Sequence, residues 1–126
     1  MSVIVITDNG RNLFRDSLSA AQNIKISYVA LGSGTTAPTT GDTQLAAETF
    51  RKRVTSYTNG TVGVINIALY LTPTDAVGKD IEEVAFFGGN ATVTPNSGVM
   101  LARGLFSHPV KTNLESITFT LNFVVS

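Results

Sequence analysis

The residues with chemical potential are few, and each has a specific chemistry to offer. Gly32-Ser33-Gly34 follows an apolar run, which is where a phosphate-binding turn would lie. A dinucleotide fingerprint needs a third glycine and an immediate helix, and a P-loop needs a lysine. Thr, Ala and Pro follow instead, so the reading is a tight turn. Arg51-Lys52-Arg53 is the one basic run. On a strand its side chains alternate faces, which suits ion pairing with the nearby Glu48 better than a nucleic-acid patch. Asp80, Glu82 and Glu83 form the one carboxylate cluster, too poor in oxygen ligands for a calcium loop. His108 is the single histidine, and Ser107 beside it points away on an extended chain, so no catalytic triad forms. Asn59-Gly60-Thr61 and Asn90-Ala91-Thr92 match the glycosylation pattern but read as chance matches at turns. These residues do not converge into a catalytic centre, and the expectation is a protein that is not an enzyme and takes no cofactor or metal.

Composition excludes further classes. The chain has 126 residues, no Cys, and 9 Lys or Arg against 9 Asp or Glu, for a net charge of zero. Disulfide frameworks and thiolate metal sites are therefore absent. The balanced charge argues against nucleic acid as a partner. No apolar run approaches the roughly 20 residues that span a bilayer, so no membrane is expected. No leader is legible before Val3-Ile4-Val5-Ile6, and synthesis in the cytoplasm without a cleaved signal is the expectation. Charged residues are 14% of the chain, against roughly 25% in an average soluble domain. A surface of Thr, Ser, Asn and Gly has little repulsion to keep copies apart, which favours a component of an assembly.

The elements that must position these residues follow from periodicity. Residues 1–6 are β-branched and form an extended arm or strand. Thr7 or Asp8 caps an amphipathic helix over residues 8–22, with Leu13, Phe14, Leu18 and Ala21 on its apolar side. Ile24, Ile26 and Tyr28 alternate with Lys25 and Ser27 as in a strand, and Val29 to Leu31 continue it with both faces apolar. Residues 35–41 are a Thr-rich loop, and Asp42 caps one or two helical turns up to Glu48. Phe50 to Thr58 reads as one strand. Asn59-Gly60 predicts a type I′ hairpin. The returning strand, up to Leu71, puts Ile65, Ile67, Leu69 and Leu71 on its core face. Further strands run over 81–87, 99–106 and 116–125, and in the last of them Phe119, Leu121 and Phe123 alternate with Thr118, Thr120 and Asn122. Phe86, Phe87, Phe106, Phe119 and Phe123 are core aromatics. The expected fold is a single domain, α+β or mainly β: an antiparallel β-sandwich of six or seven strands with one N-terminal amphipathic helix.

Several segments together resemble the phage tail-collar fibre domain. The most specific is Ala30-Leu31-Gly32-Ser33-Gly34-Thr35-Thr36-Ala37-Pro38. Asp42-Thr43, Leu45, Glu48 and Arg51-Lys52 follow in the family's order. Ile81-Glu82-Glu83-Val84-Ala85-Phe86-Phe87 and Leu101-Ala102-Arg103 up to Phe106 are similar to two of its strands. Val110-Lys111-Thr112, leading into Ile117 to Phe123, is similar to its closing strand, and the opening Ile6-Thr7-Asp8-Asn9-Gly10 fits as well. The likeness runs over nearly the whole chain.

What the resemblance implies is a structural protein of a tailed bacteriophage particle. It would be an oligomeric tail, baseplate or collar component that anchors a fibre or a neighbouring tail protein. Its partners would be other virion proteins and copies of itself, and its place the virion. Capsid decoration and a carbohydrate-binding module for the host surface are the alternatives; the latter would use exposed aromatics, for which Tyr57 and Tyr70 are the candidates. The expected contacts are Val3, Ile4, Val5 and Ile6 of the arm, Thr35, Thr36, Pro38, Thr39 and Thr40 of the loop, and Arg51, Lys52, Arg53 and Glu82 for orientation.

Overall fold

The computed structural model describes residues 4–20 and 23–124. The elements in chain order are β1 (Ile4–Ile6), α1 (Asp8–Ser17), β2 (Tyr28–Gly32), β3 (Glu48–Arg53), β4 (Ser56–Asn59), β5 (Val64–Leu71), β6 (Ile81–Gly88), β7 (Val99–His108) and β8 (Ile117–Val124). The strands form a five-stranded sheet, β1-β7-β6-β2-β3, and a three-stranded sheet, β4-β5-β8. Every pairing is antiparallel. The fold is mainly β with a single short helix among the described residues, as the alternation of the sequence predicts.

The inner faces of the two sheets share one apolar core. Val29, Leu31, Val84 and Phe86 from the larger sheet meet Ile67, Leu69, Leu71, Phe119 and Leu121 from the smaller. The larger sheet also buries its outer face. Tyr28, Ala30, Ala85, Phe87 and Met100 pack there beneath Leu45 of the loop between β2 and β3. This explains why every residue of β2 is buried and why its sequence shows no polar face. Ile81 shares the inner core with Val84 and Phe86 although the spacing breaks period two. A register irregularity between Ile81 and Glu83 supplies the missing phase.

Several elements differ from the sequence expectation, each for a local reason. The stretch 50–58 is divided between the two sheets. Val54 is buried and donates its N–H to the Ser27 carbonyl, while Thr55 donates to Ala68, so the chain crosses between sheets there. This split raises the strand count to eight. Of the segment 1–6, Ile4, Val5 and Ile6 take the strand alternative, pairing with Gly104, Arg103 and Ala102 of β7. Val3 lies outside the described residues. The helix stops at Ser17, short of residue 22. Leu18 N–H bonds back to Arg15 and Asp16, Ser17 and Ser19 hydroxyls take the carbonyls of Phe14 and Asp16, and the Leu18 side chain is exposed. Ala21 lies outside the described residues.

The other differences concern turns. The β2 ladder opens only at Tyr28 rather than Ile24. No helical turn forms over 42–48, because the Ala46 and Ala47 amides are taken by Glu83. The hairpin after Asn59 exists, but not as a type I′ Asn-Gly turn. Gly60 N–H bonds the Val64 carbonyl, Val64 N–H bonds that of Thr61, and the positive φ falls on Gly63 at +79°. The helix is docked as its cap predicts. Thr7 accepts the Gly10 N–H at 3.0 Å and donates its hydroxyl to the Met100 carbonyl. Gly10 lies so close to β7 that a Cβ there would stand 2.8 Å from Leu101 Cα.

Candidate functional site

The distinctive chemistry of the molecule sits on the outer face of the larger sheet. Glu83 is wholly buried and Arg103 nearly so. Arg103 donates from Nε and Nη2 to Glu83 Oε1 at 3.1 and 2.8 Å. Its Nη1 reaches Asp42 Oδ2 at 3.0 Å, and Nη2 also reaches the Thr36 carbonyl at 2.9 Å. Glu83 accepts three backbone N–H groups besides: Gly34 at 2.8 Å and Ala47 at 2.9 Å on Oε2, and Ala46 at 3.0 Å on Oε1. A buried carboxylate so surrounded has its lone pairs filled, which is what makes its charge tolerable. Burial alone would raise the Glu83 pKa. The Arg103 bonds and the Ala47, Ala46 and Gly34 amides outweigh that and hold it below the ordinary value. Asp42 is likewise held low: burial opposes, and Thr39 together with Arg103 prevails.

These bonds pin the loop between β2 and β3 along its length. Ser33 N–H bonds the Ala47 carbonyl, Asp42 takes both the N–H and the hydroxyl of Thr39, and Asp8 N–H bonds the Thr40 carbonyl. Thr35, Thr36, Thr39 and Thr40 are consequently presented to solvent on a fixed backbone, with Pro38 half-buried among them. From Ser33 to Gly41 the loop carries no charge. It is an ordered, neutral, hydroxyl-rich surface, with the conformational cost of ordering already met in the folded chain.

The other expected contact residues do not join this surface. Arg51 is buried. It makes a two-pronged pair with Glu48 at 2.9 and 3.0 Å, lies 4.2 Å over the Phe87 ring, and donates to the carbonyls of Thr92 and Ser97. Its role is to hold the 91–98 turn, which removes it from the expected interface. Lys52 turns to the opposite side and bonds Asp75 at 2.6 Å and the Tyr70 carbonyl at 2.9 Å, tying the two sheets together. Arg53 is exposed and stacks on Tyr28. Glu82 meets the Ser107 hydroxyl at 3.4 Å, away from the loop. Glu83 parts from Glu82 and Asp80, so the carboxylate cluster of the sequence does not exist in space.

The remaining candidates resolve in the same way. His108 Nε2 lies 3.5 Å from Glu115, with Ser107 turned to Glu82. Phe106, expected in the core, is at its margin, edge-on to Phe119 at 5.0 Å. Among the described residues no three His, Asp or Glu side chains come together as a metal set, and no helix is long and apolar enough to cross a membrane. Sequence reasoning missed Lys111, whose buried Nζ donates to the carbonyls of Thr72, Pro73 and Thr112. Its one signal was a lone cation in a polar loop.

Compared with known proteins, the chain matches no family model, no curated protein and no solved structure.

Proposed function

We propose that this protein is a non-enzymatic structural component of a tailed bacteriophage particle. It docks on the tail, baseplate or collar and anchors a fibre or neighbouring tail protein. The contact surface is the pinned loop 33–47. The observation that carries this reading is where the family-like residues lie. Gly32 and Gly34, Asp42, Glu83 and Arg103 come from four separate stretches of resemblance, and they meet around the Glu83–Arg103 pair. Residues that build one loop conformation fit a chain whose work is to present that loop. The neutral Thr row suits contact through hydrogen bonds and close packing rather than charge steering.

The test is to locate the chain on purified particles by gold-labelled antibody. Label on the tail or baseplate supports the proposal. Label on the capsid replaces it with decoration, and absence of the chain from particles overturns it. Thr36→Lys with Thr40→Lys should leave the chain folded and reduce its incorporation by at least about tenfold, since a charge buried without a partner is expelled from an interface.

A further inference from the structure

We propose that two copies of this chain associate through the free edge of β8, paired antiparallel about a two-fold axis. The β4-β5-β8 sheet then continues into its copy as one six-stranded sheet.

Each sheet has two edges, and three of the four are blunted. Among the described residues β1 spans three positions, and β4 is only four residues long. β3 reads Glu-Thr-Phe-Arg-Lys-Arg and is guarded by charge. Short strands and charged edges are the usual defences against unwanted pairing. β8 has neither. It is eight residues long, Ile-Thr-Phe-Thr-Leu-Asn-Phe-Val, without charge or proline. It pairs with β5 in unbroken register over its whole length, with no bulge to twist the edge away. Among the described residues, its other side makes no backbone hydrogen bond.

A second feature lies on that same side. A cleft of about 280 Å³ opens between β8 and the larger sheet; Ile4, Phe106, Thr118 and Thr120 stand at its mouth, and it reaches in to the core residues Val84 and Phe86. No β5 residue lines it, so it faces the free edge. Ile4 and Phe106 remain exposed there.

The chemistry of the edge selects a second copy as the occupant. Antiparallel pairing of β8 with its copy, centred on Thr120, sets Thr120 against its own counterpart and Thr118 against Asn122, all on the exposed face. Like charges opposed in this way are destabilising, whereas neutral Thr and Asn rows hydrogen-bond. An isologous contact needs a self-complementary surface, and an uncharged alternating strand is one. The inference is independent of where the protein sits on a particle, because it concerns the purified chain alone.

The test is the mass of the purified chain by light scattering on a sizing column. Twice 13.3 kDa is expected. A single-chain mass at the highest soluble concentration, or a mass of three chains or more, overturns the proposal. The double variant Thr118→Lys, Thr120→Lys places charge on exposed positions and should weaken the dimer by roughly tenfold or more with an unchanged circular dichroism spectrum. A variant that keeps the doubled mass overturns the proposal. If the variant fails to fold, amide exchange on the unmodified chain decides. Alternate amides of residues 117–124 should lose protection on dilution, and protection independent of concentration overturns the proposal.

Discussion

The backbone N–H of Gly34 donates to Glu83 Oε2 at 2.8 Å, across 49 positions of sequence. A Cβ on Gly34 would come within 2.5 Å of that same oxygen and 2.4 Å of Ala46 Cβ. Gly32 stands in the same relation, 2.5 Å from Glu83 Oε2. The Gly-Ser-Gly turn does cradle an anion, but the anion is the protein's own side chain. Its glycines are there for close approach, not for a phosphate.

Gly34→Ala should therefore push the loop off Glu83 and leave a buried carboxylate short of a donor. A loss of roughly 2–4 kcal/mol is expected. Urea unfolding of the variant measures it, and a loss below about 0.5 kcal/mol, the usual size of a surface change, would contradict the close approach.

Acid should unfold the protein through its carboxylates. Glu83, Asp42 and Asp75 all have folded pKa values below their ordinary values of 4.5, 3.8 and 3.8. Asp75 is lowered first by the Lys52 bond and then, against burial, by Thr72. A lowered folded pKa contributes stability that is complete above the unfolded value and disappears as pH falls through the folded one. Melting temperature should stay level from neutral pH down to about 5 and fall steadily below about 4. Glu83→Gln should lower the plateau by about 3–5 kcal/mol, because it removes the charge that Arg103 pairs with and sets an amide NH2 against the Gly34 and Ala47 N–H groups, and should flatten the acid limb. An unchanged acid limb would show that Glu83 is not the titrating group.

Arg51→Met should free the 91–98 turn, since Arg51 donates to Thr92 and Ser97 and leaves Glu48 buried when removed. The expected cost is about 3 kcal/mol, with faster proteolysis within 92–97. Arg51→Lys should restore only part of it, because an ammonium cannot make the two-pronged contact with Glu48.

Lys111→Met should cost roughly 1–3 kcal/mol through the three carbonyls it leaves without their donor. Removal of a charge from a solvated surface would cost far less, so the size of the effect in a denaturation curve separates the two situations.

The sequence by itself determined the strands, because a half-buried strand writes its own period. Phe119, Leu121 and Thr118, Thr120 alternate in β8 as in the text of the chain, and Ile67, Leu69 and Leu71 do the same in β5. It also offered Glu48 as a partner for the basic run 51–53, and the structure gives it to Arg51, three positions away and within local reach. What it hid was everything that depends on which sheet a strand joins. The division of 50–58 between two sheets follows from Val54 finding the shared core, a fact about distant neighbours. The pairing of Ile4–Ile6 with β7 likewise depends on an edge built a hundred residues later in the chain.

The site shows the same division. The sequence grouped Glu83 with Asp80 and Glu82 and showed Arg103 only as part of an apolar strand, so neither stood out as one half of a buried pair. Only the tertiary structure decided that they are each other's partner, that Asp42 joins them, and that Gly32 and Gly34 make the room. Local periodicity records which face of an element is buried. It carries no information about which distant carboxylate, amide and guanidinium will share one small volume, because that is set by how the sheets and the loop close over one another.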